Sequence, residues 1–357
     1  MHQVDSRGCT AAVRSKAARP ATRILMTIDS HRPERAVNTT RKCLSLVAGI
    51  AIFAVGLVGS ASATFPGSNG SILFRDDHPS SGTGSPLFRA RADGSQTRML
   101  SKRPGLFSDW RPDGGRIAFD FFQRDGSEQI ATMRRDGTDL KVISAGKGIH
   151  EVPSYSPDGR SFAFDASRQD PSSPSFQTHL WVMRADGSRA HRLAMASSGF
   201  DAEPRYAPNG RWIVFNRFRP TPRGQLLAAF VVSTTGKHRV HRLTPWSLGA
   251  EHPTWSPDSR WILYNSPEGT VQRVRLSGTG RQTLMAASDG FGGHKPWYSP
   301  DGTKILFMCE NQGTLRHPPA NYNQDICVMN ADGSNIVHII DTPNVLENWP
   351  SWGPTAR

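Results

Sequence analysis

One five-residue phrase limits what this chain can fold into more than any other feature. Tyr155-Ser156-Pro157-Asp158-Gly159 leads into Phe162-Ala163-Phe164, and close copies return along the chain. Trp110-Arg111-Pro112-Asp113-Gly114 precedes Ile117-Ala118-Phe119, and Tyr206-Ala207-Pro208-Asn209-Gly210 precedes Ile213-Val214-Phe215. Trp255-Ser256-Pro257-Asp258-Ser259 precedes Ile262-Leu263-Tyr264, and Tyr298-Ser299-Pro300-Asp301-Gly302 precedes Ile305-Leu306-Phe307. Each copy reads as an aromatic strand end, a tight turn and a buried strand. Pro presets φ at the second turn position, Asp bonds back to the backbone, and Gly takes the positive-φ exit. The strand that follows is a short apolar run without alternation, the pattern of a strand covered on both faces.

A second phrase falls between copies of the first. It is Arg91-Ala92-Asp93-Gly94, Arg134-Arg135-Asp136-Gly137, Arg184-Ala185-Asp186-Gly187 and Asn330-Ala331-Asp332-Gly333, with weaker copies at Thr235-Gly236 and Ser277-Gly278. Asp-Gly between two strand-like runs marks a hairpin. Short outer strands follow at Met99-Leu100, Val142-Ile143, Arg192-Leu193, Arg242-Leu243, Thr283-Leu284 and Val337-His338-Ile339. One period therefore holds four antiparallel strands. The turn prolines at 112, 157, 208, 257 and 300 are 45, 51, 49 and 43 residues apart. That period with four strands per unit predicts an all-β fold, a β-propeller. A lone four-stranded unit cannot bury both faces, so the units must stack in a closed ring.

The paired phrases resemble the TolB-type propeller repeat, a relative of the WD-repeat blade, over nearly all of the chain after residue 64. The resemblance implies a fold; it does not by itself imply one function, because one fold hosts many. Some TolB-like propellers form the front half of prolyl-oligopeptidase-type peptidases, which need a hydrolase domain that is not read here before Arg357. TolB itself carries an α/β domain ahead of its propeller, and no such segment is read between the leader and the first repeat.

Phe65-Pro66-Gly67-Ser68-Asn69-Gly70-Ser71-Ile72-Leu73-Phe74 looks like a turn and second strand with no first strand before it. Asn348-Trp349-Pro350-Ser351-Trp352-Gly353-Pro354 looks like a first strand with nothing after it. The expectation is closure, with the C-terminal strand completing the N-terminal blade. Counting second strands gives a six-bladed propeller over 64–357. Connections between second and third strands are expected as loops at 76–86, 167–178, 217–224 and 310–324, all on the face where the innermost strands begin. By loop-versus-scaffold logic, that is the face for binding.

Residues 1–63 read as a leader. Leu44 to Val58 is an apolar run after Arg41-Lys42 and before Ala61-Ser62-Ala63, the order of a secretory signal peptide. An uncleaved anchor over 44–63 is the alternative, although the run is short against the ~20 residues of a span. The protein is thus expected to be exported, periplasmic or secreted, touching membrane only through that leader if it stays uncleaved. The net charge of +13 is inflated by the leader, where nine Lys/Arg face three Asp/Glu; the rest carries +7. No run of five basic residues and no basic stripe with stacking aromatics occurs, so nucleic acid is not an expected partner. Of four cysteines, Cys9 and Cys43 fall in the leader. Cys309 and Cys327 fall on neighbouring strands and read as a disulfide closing the longest loop, or as two buried thiols.

No G-x-S-x-G, H-E-x-x-H, C-x-x-C or phosphate loop is present. One constellation remains. Innermost strands begin with His150-Glu151, Asp201 and Glu203, Glu251-His252, His294-Lys295 and Glu347-Asn348, while Leu106-Phe107 breaks the set. These residues should ring a mouth of the central channel. Three readings stand: a hydrated polar rim, a rim contacting a ligand or partner, and a site for a divalent cation with candidates His150, Glu151, Glu251, His252 and His294. A carboxylate-rich ring would favour a cation or a basic group. The resulting expectation is a monomeric, exported binding propeller meeting an envelope protein or extracellular ligand. The alternative is a metal-dependent carbohydrate lyase or hydrolase at the channel mouth.

Overall fold

The computed structural model describes residues 65–76, 85–101, 107–144, 146, 148–167, 177–193, 200–222, 224–288, 291–310, 323–342 and 345–356. The leader through Ala63 lies outside the described residues, as do 77–84, 168–176 and 311–322 of the expected loops.

The described residues form strands and one 3-10 turn, Trp246–Leu248. Strands β1 (Asn69–Asp76), β2 (Leu87–Ala90) and β3 (Arg98–Ser101) share a four-stranded sheet with β24 (Glu347–Pro354). Three further four-stranded sheets follow the chain in simple order. They are β12 (Phe200–Tyr206), β13 (Trp212–Thr221), β14 (Gly224–Ser233) and β15 (Val240–Arg242); then β16 (Glu251–Trp255), β17 (Trp261–Asn265), β18 (Val271–Arg275) and β19 (Gln282–Met285); then β20 (Gly292–Tyr298), β21 (Lys304–Glu310), β22 (Gln324–Asn330) and β23 (Val337–Ile340). The remaining strands form one eight-stranded sheet. Its first half is β4 (Ser108–Trp110), β5 (Arg116–Phe122), β6 (Glu128–Arg134) and β7 (Lys141–Val142). Its second half is β8 (Ile149–Tyr155), β9 (Ser161–Ser167), β10 (His179–Arg184) and β11 (His191–Arg192). The halves meet at a single parallel pair, Glu128 with Ile149. The architecture is an all-β propeller of antiparallel four-stranded blades. Of the six blades expected, four stand as separate four-stranded sheets and the other strands run together in one, because the backbone of Glu128 bridges the two sets.

The apolar triplets explain the stacking. In β17, Leu263 packs with Tyr298, Ile305 and Phe307 of the next sheet, whereas Ile262 and Tyr264 pack with Val214 and Trp255 on the other side. The same division places Leu73 with Trp110, Ile117 and Phe119, and Ile72 and Phe74 with Trp297, Leu306 and Trp352. Each such side chain stabilises by roughly 1.5–3 kcal/mol on burial. The aromatics that end the inner strands, Trp110, Tyr155, Tyr206, Trp255, Tyr298 and Trp352, are all buried.

The turns also behave as the composition requires. In the Ser156–Gly159 turn, Gly159 N–H donates to Ser156 O at 2.8 Å with φ of +66°, and Ser156 Oγ donates to Asp158 Oδ1 at 2.6 Å. Hydrogen bonds then link the inner strands. Tyr155 N–H donates to Asp109 Oδ2 at 2.9 Å, Tyr206 N–H to Ser154 Oγ at 3.1 Å, Trp255 Nε1–H to Arg205 O at 2.9 Å, and Thr254 Oγ1–H to Pro296 O at 2.8 Å.

Two expectations about particular segments resolve differently. Arg217–Gly224 is no loop: β13 and β14 continue as a hairpin in register from Arg217 opposite Ala228 to Thr221 opposite Gly224. Pro220 is tolerated there because the hairpin extends beyond its four-stranded neighbours. Cys309 and Cys327 are joined, as expected, with Cα atoms 5.8 Å apart and a sequence separation of 18.

Closure is direct. β24 pairs antiparallel with β1, Trp352 opposite Ile72 and Ser351 opposite Leu73. Thr355 N–H donates to Ser68 O at 2.9 Å, and Asn69 Nδ2–H to Asp301 Oδ2 at 2.9 Å. At the joint, Gly353 lies against the Trp110 ring, and a Cβ there would overlap ring atoms. Trp110 is 1% exposed and has no room to withdraw. Gly353→Ala is therefore expected to destabilise by about 1–3 kcal/mol, read as a drop in Tm. An unchanged melt would show that the joint is slack.

Candidate functional site at the channel mouth

Five inner strands share an irregularity. β8, β12, β16, β20 and β24 each shift register against their partner strand at the same point. At that point Val152, Glu203, His252, Lys295 and Trp349 have φ of +52°, +57°, +50°, +53° and +52°. Each precedes a proline: Pro153, Pro204, Pro253, Pro296 and Pro350. A β-bulge turns a side chain away from the line of the strand. Left-handed φ at a residue other than glycine costs of order 1–3 kcal/mol and persists only where neighbours over-determine it. Here they do. His252 N–H donates to Asn216 Oδ1 and Lys295 N–H to Asn265 Oδ1, each at 3.1 Å, from the adjacent sheets.

Four of these five residues line a small cavity of about 30 Å³ that opens to solvent: Glu203, His252, Lys295 and Trp349, joined by Phe107, Arg205 and Trp297. His252 Nδ1 lies 2.9 Å from Glu203 Oε2. Lys295 Nζ stands 4.0 Å from the centroid of Trp349 and donates to Asn348 Oδ1 at 2.8 Å. Phe107 meets Trp349 edge-on at 4.2 Å, and the Arg205 guanidinium lies 5.2 Å from the Trp297 centroid. Burial pushes the Glu203 carboxyl up, but His252, Arg205 and Lys295 outweigh it and hold it below its ordinary range. Burial lowers Arg205 despite Asp109 and Glu203 nearby.

Of the residues expected from sequence at the mouth, the structure thus gathers Glu203, His252, Lys295 and Asn348. The others have separate surroundings. Asp201 is fully buried and accepts hydrogen bonds from Arg217 Nε and Nη2, at 2.6 and 2.9 Å. Glu251 and His294 meet at Asn265 Nδ2, at 3.1 and 3.3 Å, and His294 Nε2 lies 3.0 Å from Glu310 Oε1. A proton on Nε2 of His294 satisfies both contacts. Glu347 is buried and accepts Thr342 N–H at 3.0 Å. His150 packs edge-on against Phe164. The candidate metal set His150, Glu151, Glu251, His252 and His294 yields no group of three close enough to share an ion. Among the described residues two groups are that close, and both contain His338. The mouth is also less acidic than expected, since Arg205, His252 and Lys295 face Glu203 alone in the lining. Phe107, Arg205, Trp297 and Trp349 were not anticipated. Trp349 shares the pre-proline position of Glu203, His252 and Lys295, and that alignment was the available signal.

Residues 74–356 match the family model of the TolB beta propeller domain. The chain belongs to that family. TolB from Acinetobacter baumannii is a solved structure similar to this TolB-type propeller, at 24% identity and a TM-score of 0.64, over 80% of this chain and 67% of that one. An uncharacterised protein of Agrobacterium fabrum is 28% identical over 188 residues, 50% of this chain and 61% of that protein. Dipeptidyl-peptidase 5 of Porphyromonas gingivalis is 24% identical over 181 residues, 44% of this chain and 26% of the peptidase. The TolB-type chain therefore spans less than two thirds of either curated relative. No helix among the described residues is long and apolar enough to cross a membrane; residues 44–63 lie outside them.

Behind the mouth, this TolB-type propeller buries carboxylates at the seam of its eight-stranded sheet. Asp120 and Asp165 are at most 1% exposed and Glu128 is 3% exposed. Glu151 stands opposite Asp165. Glu128 Oε1 and Asp165 Oδ1 have no hydrogen-bond partner. Burial, then a hydrogen bond with Asp120 and the charges of Asp120, Glu151 and Asp165, push Glu128 far up. Burial, then Glu151 and Glu203, push Asp165 well up. Burial, then Asp120 and Glu203, push Glu151 up to about 8. Burial raises Glu347 to about 7 and Asp109 to about 6, the latter against Arg205 and two backbone N–H groups.

The sign of the pH dependence follows. A folded-state pKa raised above its unfolded value gives stability that is complete below the unfolded value and is lost as pH rises through the folded one. Asp109, Glu347 and Glu151 therefore lose their contribution successively between about 4 and 8. The turn aspartates, such as Asp136 and Asp158, are lowered by hydrogen bonds to Thr138 and Ser156 and matter only below about 4. Stability should fall from pH 5 to pH 8, by on the order of 1 kcal/mol per pH unit for each group within its window. Glu151→Gln should flatten the upper part of that fall. Denaturant midpoints at pH 5, 6.5 and 8 read it, and a rise with pH would contradict the buried cluster.

Proposed function

We propose that this protein is an exported, non-enzymatic binding propeller whose channel mouth receives a protein partner of the cell envelope. The carrying observation is the choice of residues at the bulges. Glycine or asparagine would sit at positive φ with least strain. Val152, Glu203, His252, Lys295 and Trp349 stand there instead. Four of them are long or aromatic side chains brought into one cavity. Backbone geometry alone gives no reason for a glutamate, a histidine, a lysine and a tryptophan at equivalent positions. A binding surface does. Trp349 and Phe107 offer an apolar face, while Lys295 offers a cationic group and His252 an imidazole beside Glu203. An extended partner segment carrying an apolar side chain next to a carboxylate suits that lining.

The rest of the reading goes with it. Residues 1–63 act as leader and signal peptide and 64–357 as one propeller domain, monomeric in the periplasm or outside the cell. We read the eight-stranded sheet as two blades joined at the Glu128–Ile149 pair, which makes six blades in all. Family membership and the likeness to TolB in fold support a binding role.

The test uses the exported protein as bait in envelope extract. Glu203→Ala combined with Trp349→Ala should weaken capture of the partner at least about tenfold, with Tm within a few degrees of the parent. Asp158→Ala, in a turn where Asp158 Oδ1 accepts Ser156 Oγ–H and Arg160 N–H, should keep capture and lose roughly 1 kcal/mol of stability. The opposite pattern would place binding on the turn face and overturn the assignment.

A further inference from the structure

β22 and β23 pair with Ile326 opposite Ile340 and Cys327 opposite His338. Asp325 precedes Ile326 and Asp341 follows Ile340, so both carboxylates sit at the same end of this strand pair. The ligand atoms of Asp325, His338 and Asp341 lie within 4.8 Å of one another. Asp325 Oδ2 is 2.9 Å from His338 Nδ1. The Asn323 amide donates to Asp325 Oδ1 at 2.6 Å and to Asp341 Oδ1 at 3.4 Å, which holds the two carboxylates together. Phe291 lies beside the imidazole, ring centroids 6.4 Å apart. Asp325 is buried, while His338 and Asp341 are open to solvent, so an ion has a path in.

We propose that Asp325, His338 and Asp341 form a binding site for a divalent cation of the zinc type, separate from the channel mouth. Three protein ligands with one position left for water is a common zinc arrangement. The 2.9 Å between Asp325 and His338 is close to the edge of a coordination polyhedron with bonds of about 2 Å, so little movement is needed. One imidazole among the ligands favours zinc over calcium or magnesium, which prefer oxygen alone. The two carboxylates have reason to accept an ion. Asp325 and Asp341 face each other at the same end of the strand pair, and a cation between them would offset the repulsion of two neighbouring carboxylates.

The sulfurs nearby are not part of the set. Cys309 Sγ lies 4.0 Å from His338 Nδ1, but Cys309 and Cys327 are bonded to each other and present no thiolate. The oxygen and nitrogen ligands belong to the oxidised, exported form. A bound ion would tie β23 to β22 beside the disulfide and stiffen the outer edge of that sheet. This assignment is independent of what the mouth binds.

The test is calorimetric titration of Zn²⁺ into tag-free protein with the disulfide intact. One equivalent should bind, more tightly than Ca²⁺ under the same conditions. His338→Ala and Asp341→Asn should each weaken binding at least about tenfold, with circular dichroism unchanged. The proposal is overturned if no stoichiometric binding occurs, if Ca²⁺ binds as tightly, or if both variants bind as the parent does. Binding that arises only after reduction would also overturn it, because it would assign the cysteines as ligands instead.

Discussion

A left-handed residue ahead of a proline, repeated in five inner strands, is the constraint on which the site depends. The proline removes the next N–H and fixes the next φ, so the ladder to the second strand breaks there. The register shifts lie at Val152, Glu203, His252, Lys295 and Trp349 and nowhere else along those inner strands beyond the irregular start of β1 with β24. Above the break, residues belong to strand starts and internal hydrogen bonding. Below it, Ser154 and Thr254 link one sheet to the next, and Asp109 links the two halves of the eight-stranded sheet. The break itself is where side chains leave the sheet for the cavity. Strain at such points is held by the surroundings, and Asn216 and Asn265 hold it from the neighbouring sheets.

The ring gives those clamps their rigidity. Each apolar triplet serves two interfaces, so no sheet can shift without disturbing both neighbours. β24 couples the two ends of the propeller, and it also carries Trp349 into the mouth and sets Asn348 against Lys295. Closure and site assembly are therefore one event. The buried carboxylates Asp120, Glu128 and Asp165 occupy the seam where the eight-stranded sheet is continuous, close enough in charge to Glu151 and Glu203 to connect the seam with the mouth electrostatically.

Much of the fold was legible because turn chemistry is local. Pro157-Asp158-Gly159 and its copies need particular residues at particular φ, and the buried triplets follow at a fixed interval. The split phrase, with Phe65–Phe74 at one end and Asn348–Pro354 at the other, was enough to read closure. The hairpin through Pro220 was hidden because its Pro and Arg residues mimic a loop. The site was legible only in part. Glu203, His252 and Lys295 stood out as polar residues at strand starts, but so did Asp201, Glu251 and Glu347, which the fold uses internally. Separating the two sets needs the bulge, since alternation along a strand would send Asp201 and Glu203 to the same face. A residue before proline is ordinarily extended, so nothing local announces the left-handed turn. Asp120 and Asp165 follow the triplets at the same place as Asn216 and Asn265, and only packing reveals that the two acids are as fully buried as the two amides.

The most direct measurement compares the melts of Lys295→Gly and Lys295→Val. Both lose the ammonium, its contact with Trp349 and its bond to Asn348, so they differ chiefly in what the backbone tolerates at φ of +53°. Glycine accepts that conformation freely and a β-branched residue does not. The account predicts the glycine variant to be the more stable by about 1–2 kcal/mol, a separation of several degrees in Tm. Equal melts, or a more stable valine variant, would mean that Lys295 is extended, and the bulge would no longer explain how the mouth is built.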